Sequence, residues 1–393
     1  WVASLTSLAS APAAILWGNL SDRLQRRLPF MFAGLIAFAI STILTGLADS
    51  VQQIMLYSFV GTMLGTALGP TSSALLLENL PEDHWPVAFG WFNQIGGLSY
   101  VAGMLIGTAW LQFLPQSFEN ATVMRGLFIF AGGLGATSAI LAVIWIKERP
   151  LRPKLEFDPR MFGRFTSFTL DRTRSFLPSI ANKVNRVSIR EMGQLARTPL
   201  YRYFAYSFIM FVGINIAFVP FPVFLSQALR ASNGQVFLIN LVKSIVDTFF
   251  FVPMGHWMVN RRGLGLQAQA AGLRSVLFGL CGVLALIQGG QAALILIVVI
   301  QILNGVTWAA ISVSGPTVVA LFSQRGTEAR SIGSYNAVLG LAGILGSLAA
   351  GYIVDAFGYV ISFSTAAFTM ILTALLMWTL RAHHPTGSEM DEK

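Results

Sequence analysis

The chain consists of long apolar stretches separated by short polar segments. Eleven stretches of 17 to 27 residues contain few or no charged side chains. A helix of about 20 residues crosses a hydrocarbon core roughly 30 Å thick, so each stretch is long enough, or nearly so, to span a membrane. We therefore predict an all-α, polytopic membrane protein with eleven spans at roughly residues 1–17, 30–48, 53–77, 87–113, 126–146, 203–227, 235–258, 265–287, 292–313, 333–353 and 359–380.

Composition excludes several other classes of protein. Of the 393 residues 54% are hydrophobic and only 11% are charged, which argues against a soluble enzyme or a disordered scaffold. Cys281 is the only cysteine, so a fold stapled by internal disulfides is excluded.

The positive charge follows the predicted topology. The net charge is +9, and 22 of the 26 Lys and Arg residues fall on one side if alternate loops lie on alternate sides. Arg125 and Arg230 lie on the other side, and Lys243 and Arg274 lie within spans. The positive-inside rule assigns the basic side to the cytoplasmic face of a cell membrane. Because membrane topology accounts for the excess of basic residues, that excess does not indicate nucleic acid as a partner.

An internal repeat relates the two halves of the chain. At an offset of 243 residues, four identical residues and one aromatic pair coincide within fourteen positions: Gly90 with Gly333, Phe92 with Tyr335, Asn93 with Asn336, Gly97 with Gly340 and Gly103 with Gly346. The fourth span then corresponds to the tenth, and the first half is one helix short. Because Trp1 already lies in an apolar segment, we expect the sequence to begin after an upstream helix.

A polar motif follows the first span and recurs in weaker form after the seventh. Residues 18–27 read GNLSDRLQRR, and residues 255–263 echo them. This motif resembles the G-x-L-x-D-R-x-x-R-R loop of the major facilitator superfamily, although Gln25 stands where the family often has glycine. The second copy has Asn260 in place of the aspartate and one extra residue after Gly255.

The resemblance implies twelve helices in two pseudo-symmetric six-helix bundles, of which the first helix is absent here. We divide the chain into an N-terminal transmembrane half (1–146), a basic cytoplasmic linker with amphipathic helices (147–202), a C-terminal six-helix half (203–380) and a cytoplasmic tail (381–393).

The motif predicts a conformational latch between the halves. Gly18 allows close helix approach, Asp22 can accept hydrogen bonds from N–H groups at a neighbouring helix start, and the arginines can reach lipid phosphate. The alternative is that the arginines only set topology. The candidate latch residues are Gly18, Asp22, Arg23, Arg26, Arg27, Asn260 and Arg261.

Three charged residues lie clearly inside predicted spans, and each is a candidate for coupling. Lys243 and Asp247 are four residues apart and share one helix face. Arg274 on the next antiparallel span lies at nearly the depth of Asp247. The functional hypothesis is that Asp247 changes its proton or ion occupancy during transport, and the alternative is a fixed ion-pair cluster.

Uncharged polar residues at mid-span outline a candidate substrate cavity. In the family the corresponding helices line a central cavity, although Asn and Gln also bridge helices in lipid. Pro220 and Pro222 should break the sixth span near its outer end. The cavity candidates are Asn93, Gln94, Asn215, Gln301, Asn304, Trp308, Tyr335 and Asn336.

These features predict secondary active transport of a small solute by alternating access, coupled to a proton or ion gradient. A facilitative uniporter, an exporter of apolar compounds and a non-transporting nutrient sensor remain as alternatives. In the family, many proton-linked members carry an arginine in the third span, and a Gly-Pro-x-x-Gly-Gly element in the fourth span is associated with antiporters. This chain has neither, so the resemblance disfavours drug and proton antiport.

The sequence has no ATP-binding G-x-x-x-x-G-K-[ST] motif, no metal-ligand spacing among its four histidines and no converging catalytic set. We therefore expect no enzyme activity, no cofactor and no metal. The expected partners are a small-molecule substrate, protons or ions, and membrane lipids, with the protein as a monomer.

Overall fold

The computed structural model describes residues 2–24, 26–113, 120–146, 198–259, 263–286, 290–324 and 326–382. These residues form α-helices joined by short connections, with no strand among them. A 3₁₀ turn at Glu82–His84 precedes α5. The α-helices are α1 (Val2–Leu24), α2 (Leu28–Gly46), α3 (Val51–Gly65), α4 (Leu68–Asn79), α5 (Trp85–Phe113), α6 (Asn120–Trp145), α7 (Pro199–Phe218), α8 (Phe221–Gln227), α9 (Asn233–Val259), α10 (Gly263–Leu284), α11 (Gln291–Phe322) and α12 (Glu328–Ala382).

Seven helical stretches among the described residues are long and apolar enough to cross a membrane. The stretch Glu328–Arg381 is 54 residues long, or about 80 Å, which is more than twice the thickness of a hydrocarbon core. Gly358 interrupts it with φ 80° and ψ 176°, a conformation that suits glycine. This break lies between the predicted spans 333–353 and 359–380, and the other nine predicted spans also coincide with described helices.

Local sequence explains where several helices begin and end. Ser232 and Gln235 cap α9 reciprocally, since each side chain accepts a hydrogen bond from the backbone N–H of the other. The helix α7 ends at Phe218, and α8 begins at Phe221 directly after Pro220. The predicted proline break near the end of the sixth span is confirmed.

The helices form two groups that meet along two seams. In the first half α2 packs against α3 and α6, and in the second half α12 packs against α7 and α10 while α9 packs against α11. The seams between the halves are formed by α1 with α12 and by α5 with α9. Most of the buried hydrophobic cluster belongs to the second half.

Four glycines bring the backbones together at these seams. A Cβ at Gly18 would lie 2.6 Å from the carbonyl oxygen of Ala329, and one at Gly255 would lie 2.6 Å from that of Pro86. Gly90 meets Phe251 in the second seam, and Gly333 meets Ala14 in the first. The two seams are therefore built alike, in keeping with the alignment of Gly90 with Gly333, and all four glycines lie towards the helix ends on the side of the molecule that carries most of the basic residues.

Candidate functional site

Arg27 is the centre of a buried ionic cluster at the end of the molecule that carries the basic loops. Its guanidinium is 0% exposed and lies 2.7 Å from a carboxylate oxygen of Asp22 and 2.6 Å from one of Glu78. It also donates to Ser21 Oγ at 2.8 Å, and that hydroxyl donates to the carbonyl of Arg26. The side chain therefore turns into the protein, whereas the sequence led us to expect that the arginines of this motif could reach lipid phosphate.

Asp22 links this cluster to the other half. Its Oδ2 accepts a hydrogen bond of 2.6 Å from the backbone N–H of Arg330, in the first turn of α12, where the helix dipole favours negative charge. Asp22 lies beyond the predicted span 1–17. Burial raises the pKa of its carboxyl, although the charge of Arg27 and the hydrogen bond from Arg330 act in the opposite direction. One carboxylate thus contacts both halves.

The other candidate latch residues are placed less centrally or are not described. Arg26 is exposed, in contrast to its neighbour Arg27. Arg23 lies in the last turn of α1, but its side chain is outside the described part of the structure. Asn260 and Arg261 are also outside the described residues.

Lys243 and Asp247 form an ion pair on α9. The Nζ to Oδ2 distance is 2.9 Å, and the side chains are 18% and 10% exposed. The next residue, Thr248, packs against Gly97 of α5, so the pair lies beside the second seam between the halves. The sequence spacing predicted this pairing.

Arg274 on α10 does not pair with Asp247, although the two residues lie at nearly the same depth in their spans. The side chain is completely buried, donates from Nε to Thr307 Oγ1 at 2.9 Å and from Nη2 to the carbonyl of Asn304 at 3.1 Å. Asp247 forms its described ion pair with Lys243, and Arg274 is bound to neutral groups of α11. The contact between Asp247 and Arg274 that we considered from the sequence is therefore not formed at ion-pair distance.

Two aromatic rings lie beside both cations. The Arg274 guanidinium carbon is 5.5 Å from the ring centres of Phe218 and Trp308. Lys243 Nζ lies 5.9 Å and 5.7 Å from the same two rings. These cation–π contacts join α7, α9, α10 and α11 in one cluster.

The cavity candidates of the second half lie mainly inside its bundle. Asn304 Nδ2 donates to Gln301 Oε1 at 3.0 Å, and both side chains are buried next to Arg274. Trp308 packs against Phe211 of α7. Tyr335 is buried and stacks on Tyr203, which places its ring within the second half.

The remaining candidates are half-buried. Asn93 and Asn215 donate to carbonyls of their own helices, those of Phe89 and Phe211. Asn336 faces Gly69 of α4 across the interface between the halves, and Gln94 lies one position after Asn93 on α5. The eight candidates therefore do not form one group, since Asn336 faces the first half while Gln301, Asn304, Trp308 and Tyr335 lie inside the second half.

Several residues of these clusters are not among the sequence candidates. Glu78 comes directly after the predicted span 53–77, and Arg27 comes shortly before the preceding span, 30–48. Two consecutive spans run in opposite directions, so both residues lie at the same side of the membrane, and this is the sequence signal that could have paired them. Thr307 and Phe218 carry no pattern in the sequence that distinguishes them from other polar or aromatic residues of a span. Among the described residues no group of three His, Cys, Asp or Glu could hold a metal ion.

Comparison with solved structures identifies the architecture. The proton:xylose symporter XylE bound to 6-bromo-6-deoxy-D-glucose superimposes with a TM-score of 0.71 at 15% identity, covering 96% of this chain and 85% of that chain. The human organic anion transporter MFSD10 (TETRAN) gives a TM-score of 0.67 at 18% identity, with coverage of 96% and 82%. These likenesses concern the fold.

Relatives in sequence match part of the chain. It is 31% identical over 158 residues to multidrug resistance protein 3 of Bacillus subtilis (strain 168), a match covering 40% of this chain and 29% of that protein. It is 25% identical over 203 residues to the multidrug transporter MdfA of Shigella boydii serotype 4 (strain Sb227), covering 51% and 47%. The chain thus spans less than half the length of these relatives.

A family model extends the likeness over most of the chain. The model described as Major Facilitator Superfamily matches residues 1–300. Together with the helical fold, the paired seams and the loop motif at residues 18–27, this match establishes that the chain belongs to the Major Facilitator Superfamily of membrane transporters.

Proposed function

We propose that the protein is a secondary active transporter that moves a small solute by alternating access and couples that movement to a proton or ion gradient. The observation that carries this proposal is the partly exposed Lys243–Asp247 ion pair in a membrane-spanning helix, one residue from the seam between the halves. Charge inside a membrane span is costly and is found where ions or substrates pass.

The position of the pair explains how occupancy of Asp247 would change the conformation. Protonation of Asp247 removes the negative charge that holds Lys243, and Thr248 directly transmits any adjustment of α9 to Gly97 on α5. A small shift at this point alters the packing of one half against the other. Such packed interfaces switch between discrete arrangements.

The contacts between the halves support a state that is closed on the cytoplasmic side. We assign the basic loops to the cytoplasm, which places the Asp22–Arg330 hydrogen bond and the glycine contacts at the cytoplasmic ends of both seams. No described atom lies within 4 Å of a Cβ built at Gly103 or Gly107, further along α5. Opening towards the cytoplasm would require the contacts of Asp22 and Gly18 to break.

The test is solute uptake by the full-length gene product in proteoliposomes, with Asp247→Asn beside it. We expect a pH gradient to drive accumulation in the unmodified protein and Asp247→Asn to abolish accumulation while leaving the fold intact. Asp355→Asn, which changes an exposed carboxylate of α12, is the matched control and should transport normally. Unchanged accumulation by Asp247→Asn would refute the coupling role.

The same assay separates the alternatives. A facilitative uniporter would exchange solute in counterflow without any gradient, and Asp247 would then be structural. Export of apolar compounds is the second candidate, because two sequence relatives bear names that refer to multidrug resistance or transport. A nutrient sensor would show no flux and a stable complex through residues 147–202, most of which lie outside the described structure.

A further inference from the structure

The charged cluster of the second half holds two cations and one carboxylate. Asp247 is the only acidic residue in α7, α9, α10 and α11. It pairs with Lys243, while Arg274 donates to the neutral oxygens of Thr307 and Asn304. When both cations are protonated and the carboxylate is ionised, the cluster therefore carries one positive charge in excess.

The two cations of this cluster are close neighbours. Lys243 Nζ and the guanidinium carbon of Arg274 each lie between 5.5 and 5.9 Å from the ring centres of Phe218 and Trp308. The Arg274 side chain is completely buried and that of Lys243 is only 18% exposed. Little water separates the two groups, so their repulsion is stronger than it would be at a protein surface.

The surrounding helices add no further charge to the cluster. Of the helices packed against α9, α8 and α11 have no ionisable side chain, and α5 has only Tyr100, which is exposed. On α9 itself His256 lies several turns away, and the ionisable residues of α7 all lie in its first half. Cys281 on α10 is buried, and a thiol is uncharged at neutral pH. The charges that act on Lys243 are thus those of Asp247 and Arg274.

Two protonation events would weaken the ion pair, and they leave different charges behind. Protonation of Asp247 leaves two cations and no anion in a largely buried cluster, which is strongly unfavourable. Loss of a proton from Lys243 leaves one cation and one carboxylate, so that the charges balance. Arginine stays protonated in proteins, whereas a buried lysine gives up its proton far more easily. The charge balance therefore favours exchange at Lys243.

We propose that Lys243 carries the exchangeable proton of this protein and that Arg274 is a positioning residue whose fixed charge promotes its release. The inference rests on the proposed function and names the group whose protonation changes during coupling. In this step an N–H bond of the ammonium breaks, the electron pair stays on Nζ, and the proton passes to water at the exposed edge of the side chain. The ion pair with Asp247 becomes a weaker hydrogen bond between neutral amine and carboxylate, and α9 is released to adjust against α5.

The protonation of Lys243 is measured by reductive methylation of the purified full-length gene product in detergent, because formaldehyde reacts with the neutral amine and not with the ammonium. Mass spectrometry gives the extent of methylation over a range of pH, with Nα-acetyl-lysine amide in the same solution as reference. We expect half-maximal methylation of Lys243 about one pH unit or more below that of the reference. Half-maximal methylation at the same pH as the reference or higher, or no methylation at any pH, would overturn the proposal.

Arg274→Gln tests the positioning role. The substitution removes the neighbouring positive charge, so the ammonium of Lys243 is retained to a higher pH and the methylation profile should move upwards by about one unit. Arg230→Gln is the matched control, because it removes an exposed cation that lies before the start of α9. Its profile should remain that of the unmodified protein. An unchanged profile in a folded Arg274→Gln protein would refute the role of Arg274, and the melting temperature shows whether this variant folds.

Lys243→Arg tests the same proton in transport. Arginine keeps the positive charge beside Asp247 but cannot release its proton. We expect a pH gradient to drive accumulation in proteoliposomes with the unmodified protein but not with Lys243→Arg. Accumulation by Lys243→Arg equal to that of the unmodified protein would refute Lys243 as proton carrier and leave Asp247 in that role. Absence of accumulation by the unmodified protein would contradict the proposed function, and the methylation profile would then decide the protonation of Lys243 by itself.

Discussion

Single side chains decide how charge is tolerated in this protein. Adjacent arginines of one motif have opposite environments, since Arg26 is exposed while Arg27 is enclosed by Asp22 and Glu78. Arg27 thus ties the ends of three helices, because its partners lie on α1 and α4 and it directly precedes α2. The single cation lies between two carboxylates that would otherwise repel each other.

Arg27→Gln should therefore destabilise the folded protein strongly. Removing the cation leaves two largely buried carboxylates without a counter-ion, which costs up to about 3–5 kcal/mol. The measurement is thermal unfolding of the purified protein in detergent. Arg26→Gln is the control, and as an exposed substitution it should change stability by less than about 0.5 kcal/mol. Equal melting temperatures for the two variants would contradict the central position of Arg27.

At the scale of helices, the two halves are joined mainly by two helix pairs, α1 with α12 and α5 with α9. Both rely on glycine because a backbone carbonyl of the facing helix occupies the space of a side chain, as Ala329 does at Gly18 and Pro86 does at Gly255. A carbonyl within a helix cannot rotate away as a flexible side chain can. The separation of the halves at this end is therefore set by backbone contact.

Gly18→Ala should force the seam between α1 and α12 apart. Overpacking of this kind costs about 1–3 kcal/mol, which should shift the population away from the arrangement closed at the basic end. Spin labels at Arg26→Cys and Arg330→Cys, both exposed positions in different halves, would report a longer distance in pulsed electron resonance. Cys281→Ala provides the background.

The control for this substitution is Gly103→Ala. No described atom lies within 4 Å of a Cβ at Gly103, and alanine is a better helix former than glycine. The distance distribution should therefore remain unchanged. An equal lengthening in both variants would show that the close contact of Gly18 with Ala329 does not control the separation of the halves.

At the scale of the whole molecule, the distribution of charge over the loops is the basis on which we infer the orientation in the membrane. Two basic residues are assigned to the outer side. Arg125 lies in the second turn of α6 and pairs with Asp49 in the connection between α2 and α3. Arg230 is exposed, with φ 55° in the short connection before α9. The cytoplasmic assignment of the opposite face rests on the distribution of charge.

This orientation predicts an asymmetric labelling pattern in intact cells. In a Cys281→Ala background, a membrane-impermeant maleimide should label Arg230→Cys without permeabilisation, because our assignment places that position outside. Arg26→Cys should be labelled only after the cells are permeabilised. The reverse pattern would mean that the basic loops face outwards, and the closed side would then be the external one.

The fold was largely predictable because membrane helices are encoded by local properties. Apolar length gave the spans, and the positions of Gly358 and Pro220 matched breaks that depend only on backbone chemistry. The pairing of Lys243 with Asp247 also follows from helix geometry alone. Apolar length does not reveal helix breaks within a span, since the predicted spans 53–77 and 203–227 each contain two helices, α3 with α4 and α7 with α8.

The site was less predictable because its contacts join residues that are distant in the chain. Glu78 reaches Arg27 over 51 positions, and Asp22 reaches Arg330 over 308. Similar depth did not suffice to pair Arg274 with Asp247, since the side chain turns towards Thr307 and Asn304 on α11 instead. Rotation of each helix about its axis decides such contacts.

The amino-acid pattern alone thus established an all-α membrane protein with a repeated architecture and a basic face, because hydrophobic length, charge and glycine spacing act locally. Only the tertiary structure decided that Arg27 is enclosed, that the seams meet through Gly18 and Gly255, and that Arg274 lies among neutral partners. Those outcomes depend on which helix faces pack together, and the packing free energy of such faces is a property of several helices at once.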